Sequence, residues 1–148
     1  MNRVTEYNKR ILIAEDSITQ AEKLKMVLEG NGYIPFHAKD GIEALSLAKS
    51  IKPDLILSDI KMPFMDGIAA FKKFIQMDIT KEIPVIFMTA FPNLEVQDQV
   101  IYMGAKGFIS KPFISKDLEL IIEAVINDRD TNSEYQNIDQ YAYRQFKS

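Results

Sequence analysis

Five short apolar runs recur along the chain, separated by longer stretches of helical periodicity, and this alternation restricts the fold more than any other feature. The runs are ILIA (11–14), YIPFHA (33–38), LIL (55–57), VIFM (85–88) and GFI (107–109). Most are continuous rather than alternating, the pattern of strands covered on both faces in a parallel sheet. The segments between them read as helices. Ser17 is placed to cap a first one whose Ala21, Leu24, Val27 and Leu28 share a stripe, and Gly30-Asn31-Gly32 stops it. Asp40 with Glu43 resembles a capping box ahead of Ala44, Leu45 and Ala48, closed by Pro53. Asp66 can cap a third helix with Phe71, Phe74 and Ile75 inward, and Ser115 a last one with Leu118, Ile121, Ile122 and Val125 on one face. The fourth helix, 94–103, is weaker, because Glu95, Gln97, Asp98 and Gln99 dilute its apolar stripe. Five such units imply an α/β fold with right-handed crossovers and helices on both faces of the sheet.

The chain of 148 residues fits one domain, and its 47% apolar and 26% charged residues are ordinary for a globular protein with a substantial core. It has no cysteine, which excludes disulfides and thiolate metal sites. No apolar run approaches the ~20 residues that span a bilayer. The opening MNRVTEYNKR lacks a hydrophobic signal region, so the expected location is the cytoplasm and no membrane partner is expected. A formal charge of −3 argues against direct nucleic-acid binding. Beyond Ile126 the composition turns polar; Ile138, Tyr141, Ala142 and Phe146 can form a short amphipathic turn or two. The expected organisation is a domain over 8–127 and a polar tail or linker over 128–148.

In a doubly wound sheet, ligands bind outside the carboxyl ends of the strands. The first run ends in Glu15-Asp16, the third in Asp59 and the fourth in Thr89-Ala90, and the fifth is followed by Ser110-Lys111-Pro112. Each has an ordinary reading alone: Asp caps helices and forms turns, and Lys-Pro is common in loops. His37, the only histidine, reads as a half-buried side chain with no ligand role. The combination is harder to dismiss. Two like charges ~4 Å apart repel by roughly 4 kcal/mol at an effective dielectric near 20. Three clustered carboxylates therefore need a cation beyond one lysine, and an all-oxygen set with room for water suits Mg2+.

The motifs EDS (15–17), SDIKMPFMDG (58–67), MTAF (88–91) and GAKGFISKPF (104–113) resemble the receiver domain of two-component response regulators. The resemblance implies a flavodoxin-like, doubly wound (βα)5 fold with a five-stranded parallel sheet of order 2-1-3-4-5. It also implies that Asp59 is the phosphoacceptor. Asp16, Asp59 and the backbone carbonyl of Lys61 would hold Mg2+, or Mn2+ in its place, with Glu15 acting through a coordinated water. Thr89 and Lys111 would contact the phosphoryl oxygens, the lysine aimed inward by a cis Lys111-Pro112 bond. Thr89 and Phe108 would be the switch pair, Phe108 without the hydroxyl that many relatives carry. The implied partners are a sensor histidine kinase or phosphotransfer protein and a downstream protein effector. The effector would bind the face made by helix four, strand five and helix five.

On this reading the chain is not an enzyme but a signalling domain that catalyses its own phosphorylation and dephosphorylation. A haloacid-dehalogenase-type phosphatase, which also uses an aspartate nucleophile, needs a second Asp where Lys61 stands. The P-loop signature G-x-x-x-x-G-K-[ST] is absent, and the first strand leads into AEDSIT where a dinucleotide binder needs G-x-G-x-x-G. The remaining alternative is organisational: a stand-alone receiver, or one cut from a longer regulator or hybrid kinase.

Overall fold

The computed structural model of the protein describes residues 9–131. Its strands are β1 (Arg10–Ala14), β2 (Ile34–Ala38), β3 (Leu55–Asp59), β4 (Val85–Thr89) and β5 (Gly107–Ser110). They alternate with helices α1 (Ile18–Gly30), α2 (Gly41–Ile51), α3 (Gly67–Phe74), α4 (Leu94–Tyr102) and α5 (Ser115–Thr131). The strands form a five-stranded sheet in the order β2-β1-β3-β4-β5, the order the resemblance implied. The chain divides into two compact units, Met1–Ile83 and Pro84–Ser148.

In the first unit β1 is the organising strand. It pairs in parallel with β2, Leu12 opposite Phe36, and with β3, Leu12 opposite Ile56. Ile11 to Ala14 and Leu55 to Ser58 are all buried, as continuous apolar runs between two helical layers should be. β2 departs from that pattern: it is mostly half-buried, because it lies at the edge of the sheet. Below the strands, Asp54 accepts the Arg10 N–H at 2.8 Å, and the Arg10 guanidinium donates to the Ile51 carbonyl at 2.7 Å. This satisfies an end carbonyl of α2 that has no partner within the helix.

The helix boundaries follow local chemistry. Ser17 accepts from the Gln20 N–H, Asp40 from Glu43 and Asp66 from Ala69, each filling the N-cap role expected of it. Glu43 reaches back to the N–H of Lys39 at 2.7 Å, one residue before the cap. α3 is shorter than its pattern suggested. Phe71 and Phe74 are buried, but Ile75 is the C-cap and is 36% exposed. The helix stops because the buried Thr80 hydroxyl donates to the Phe74 carbonyl at 2.8 Å and turns the chain back.

In the second unit β4 and β5 pair in parallel, Phe87 opposite Phe108. α4 begins at a cap not anticipated from the sequence, Asn93, whose side chain accepts from the Val96 N–H at 3.1 Å. Ser115, expected to cap α5, is instead its first residue, and the Ile114 carbonyl accepts from the N–H groups of Asp117 and Leu118. The expected face of α5, Leu118, Ile121, Ile122 and Val125, is buried. The helix runs to Thr131, past the boundary drawn at 127, while Asn8 and the remainder of the expected tail, including Ile138, Tyr141, Ala142 and Phe146, lie outside the described residues. No helix among the described residues is long and apolar enough to cross a membrane.

The polar character of α4 has a structural counterpart. Gln97 is fully buried, and neither its amide nitrogen nor its amide oxygen finds a hydrogen-bond partner among the described residues. A buried unsatisfied polar group costs about 1–3 kcal/mol. Gln97→Leu, of similar size and without that cost, is therefore expected to stabilise the protein by about 1 kcal/mol. In thermal denaturation followed by circular dichroism this raises Tm by roughly 3–5 °C. A lower Tm would show that the amide is satisfied in solution.

Candidate functional site

The acidic site is built where β1 and β3 end. Glu15 follows Ala14, the last residue paired in the β1–β2 ladder. Its N–H donates to the Ala38 carbonyl at 3.0 Å, so the chain is still held to β2 as it leaves the sheet. The Glu15 side chain is only 1% exposed, and its Oε2 accepts the Ser17 N–H at 3.1 Å, just ahead of α1. Asp16, next along the turn, is exposed.

Asp59 is the last residue of β3 and half-buried. Its Oδ1 accepts the N–H of Ile60 at 2.7 Å, which fixes the rotation of the carboxylate, and its carbonyl accepts from the Ser58 hydroxyl at 2.8 Å. The loop beyond bends at Phe64, whose φ of 68° is rare for a side chain of this size, with Met65 N–H bonded to the Pro63 carbonyl at 2.7 Å. The Met65 carbonyl accepts from Gly41 at the start of α2, and Gly67 N–H returns to the Ile60 carbonyl at 2.8 Å. Gly67 is required by space: a Cβ there would collide with the carbonyl oxygen of Asp59. Lys61 lies in this loop with its side chain exposed.

These elements bring Glu15, Asp16 and Asp59 together, each offering an oxygen, with all three oxygens within 4.8 Å of one another. At that separation each pair repels by about 3 kcal/mol at an effective dielectric of 20. A cation relieves this, and the donor set suits a small hard one. With Mg–O distances of ~2.1 Å, ligand oxygens stand about 3 Å apart when adjacent and about 4.2 Å apart when opposite, close to the span of the trio. The exposure of Asp16 leaves room for the waters that Mg2+ retains.

In the second unit the ends of β4 and β5 are tied together. Thr89 is buried; its carbonyl accepts the Lys111 N–H at 2.7 Å, and its hydroxyl oxygen accepts the Phe91 N–H at 3.1 Å. Lys111 is half-buried, and the Lys111-Pro112 bond is cis. Phe108, the expected switch aromatic, is fully buried and thus already inward.

One residue was undervalued in the sequence. His37 is half-buried, as expected, but its Nε2 lies 2.6 Å from the Glu15 carbonyl oxygen. No single-residue signal marked it; only the adjacency of strands one and two brings it there.

The sequence profile of the response regulator receiver domain matches residues 11–123. The chain is 35% identical over 104 residues to the polar-differentiation response regulator DivK of Brucella anthropi, covering 70% of this chain and 85% of that protein. It is 36% identical over 118 residues to sporulation initiation phosphotransferase F of Bacillus subtilis, covering 80% and 91%. Other relatives are longer: the chain spans 57% of one transcriptional regulatory protein and 52% of another. Among solved structures, a CheY-like receiver domain protein from Methanospirillum hungatei superposes with a TM-score of 0.79 at 28% identity, covering 84% of this chain and 98% of that one.

The close approach at Gly67 has a measurable consequence. Gly67→Ala forces the loop away from Asp59 and is expected to cost at least about 2 kcal/mol in chemical denaturation. Gly30→Ala, where a Cβ meets nothing within 4 Å, is the control and is expected to be neutral or to stabilise by up to about 1 kcal/mol. Equal effects at the two positions would remove the steric role of Gly67.

Proposed function

The chain belongs to the family of response regulator receiver domains, and on that premise we propose that Asp59 accepts a phosphoryl group from a sensor histidine kinase or a phosphotransfer protein. The observation that carries this reading is the acidic trio. A half-buried aspartate at the end of β3, its carboxylate rotation fixed by the Ile60 N–H, stands with two further carboxylate oxygens within 4.8 Å.

A carboxylate of Asp59 is an anion attacking a phosphoryl centre that is itself anionic, so neutralisation and alignment dominate the barrier. Asp16, Asp59 and the main-chain carbonyl of Lys61 are the proposed ligands of Mg2+, or of Mn2+ in its place, with Glu15 one water further out. When bound there, the ion would supply charge neutralisation for the phosphoryl transfer. An Asp59 oxygen forms the bond to phosphorus. With a phosphohistidine donor the P–N bond breaks, its electron pair stays on the imidazole nitrogen, and that nitrogen takes up a proton. The Thr89 hydroxyl donates to one phosphoryl oxygen and the Lys111 ammonium pairs with another.

The chain is thus its own catalyst and substrate, a signalling domain that also loses its phosphoryl group by hydrolysis. The output is a change in the face formed by α4, β5 and α5, read by a protein effector. The buried, unsatisfied Gln97 supports a lowered stability of α4 within that face. Phe108 has no hydroxyl to rearrange, so its part in the switch is limited to packing. The name of the Bacillus subtilis relative, a phosphotransferase, supports a phosphorelay role. The cytoplasm is the compartment that suits a kinase-supplied phosphoryl group.

Incubation with Mg2+ and acetyl phosphate is expected to add one phosphoryl group by mass spectrometry, stable in acid and labile in alkali, and absent from Asp59→Asn. An unmodified wild type beside a labelled control receiver, or equal labelling of the variant, would overturn the assignment. Asp16→Ala is expected to weaken Mg2+ binding and slow labelling by at least about tenfold. Rates that match the wild type would take Asp16 out of the metal site.

A further inference from the structure

The peptide that joins Glu15 to Asp16 carries two of the three acidic side chains, and its carbonyl is the one that His37 meets. A carbonyl oxygen only accepts, so the imidazole Nε2 carries the hydrogen. The preceding peptide is held differently, by the Glu15 N–H on the Ala38 carbonyl, beyond the last paired residues of the ladder, Ala14 and Ala38. At Glu15 the main-chain ladder therefore runs out, and a side chain of β2 takes over as donor to the next carbonyl. The two peptide planes that flank the Glu15 Cα are both held, so neither φ nor ψ of Glu15 can change freely. Those two angles set where the Asp16 Cα lies relative to the buried Glu15 carboxylate, which itself accepts the Ser17 N–H on the far side of Asp16.

We propose that His37 is a positioning residue of the metal site, orienting the Glu15–Asp16 peptide from β2 without itself touching the ion. The inference rests on the metal reading given above. His37 acts through a main-chain carbonyl, so its removal loosens the ligand geometry while leaving all three carboxylates in the chain. Loss of one outer hydrogen bond to a ligand-bearing group is expected to weaken Mg2+ about tenfold. The chemical step with the site filled should change little, because no group that contacts phosphorus is altered.

The test titrates MgCl2 alone into the wild type, His37→Phe, His37→Gln and Asp16→Ala, with Kd read from NMR amide shifts and melting temperature measured alongside. Acetyl phosphate labelling at saturating MgCl2 is the second readout. The expected result is a Kd about tenfold higher in His37→Phe and labelling within about twofold of wild type once Mg2+ saturates. Most of the affinity should return in His37→Gln, whose amide N–H can also donate. A Kd unchanged in His37→Phe overturns the proposal. So does His37→Gln as impaired as His37→Phe, which makes the role one of ring packing. Wild-type protein that binds no Mg2+ overturns the metal reading and this inference with it, whereas binding by wild type and not by Asp16→Ala keeps that reading whatever His37 does. Should His37→Phe not fold, 15N NMR of the wild type decides. A slowly exchanging Nε2–H with a coupling across the hydrogen bond to the Glu15 carbonyl supports the proposal, and a proton on Nδ1 alone overturns it.

Discussion

Mutual repulsion among Glu15, Asp16 and Asp59 is the interaction that the first unit is organised to withstand. Left on a flexible chain, three carboxylates would move apart until water screened them; here their oxygens stay within 4.8 Å. Main-chain geometry opposes that separation. β1 and β3 are paired along their length, Ala14 opposite Ser58, so Glu15 and Asp59 leave the sheet side by side. The apolar residues behind them, Ile11 to Ala14 and Leu55 to Leu57, anchor those ends in a core that cannot shift without exposing buried surface. Hydrophobic burial distributed over the strands thus opposes an electrostatic strain concentrated at their tips.

The loop after Asp59 shows the same division between rigid support and exposed chemistry. Gly67 approaches the Asp59 carbonyl more closely than any other residue could, and its N–H is spent on the Ile60 carbonyl. Between these two points the chain tolerates Phe64 at a positive φ and holds the turn with a bond from Met65 to Pro63. A residue in that region costs of order 1 kcal/mol and persists only where its surroundings over-determine it. The neighbours that do so are Gly67 on one side and Gly41, bonded to Met65, on the other.

Most of this was legible in the sequence because buried parallel strands leave an unambiguous trace: ILIA, LIL and VIFM have no polar interruption, and the chemistry falls immediately after them. Caps with short polar side chains, Ser17, Asp40 and Asp66, were legible for the same local reason. What was not legible depended on partners distant in the chain. Ile75 fits the periodicity of α3, yet Thr80 ends the helix before it. Ser115 looks like a cap, but the Ile114 carbonyl already serves α5. Gln97 reads as a polar dilution of the apolar stripe of α4 and is nevertheless fully buried. His37 has meaning only once β2 lies beside β1, since its partner is 22 residues away.

The bond from Phe91 N–H to the Thr89 hydroxyl oxygen ties that hydroxyl to the backbone just ahead of α4. A hydroxyl has one hydrogen, and with the oxygen receiving from Phe91 that hydrogen remains to be given elsewhere. Any displacement of Thr89 toward an acceptor must either drag the Phe91 backbone along or break the bond. The first moves, and the second releases, a segment that carries Pro92, the Asn93 cap of α4 and the largely exposed ring of Phe91. A sub-ångström event at a buried oxygen would in this way be displayed on the surface as the attitude of an aromatic ring, several bonds removed from the atom that moved.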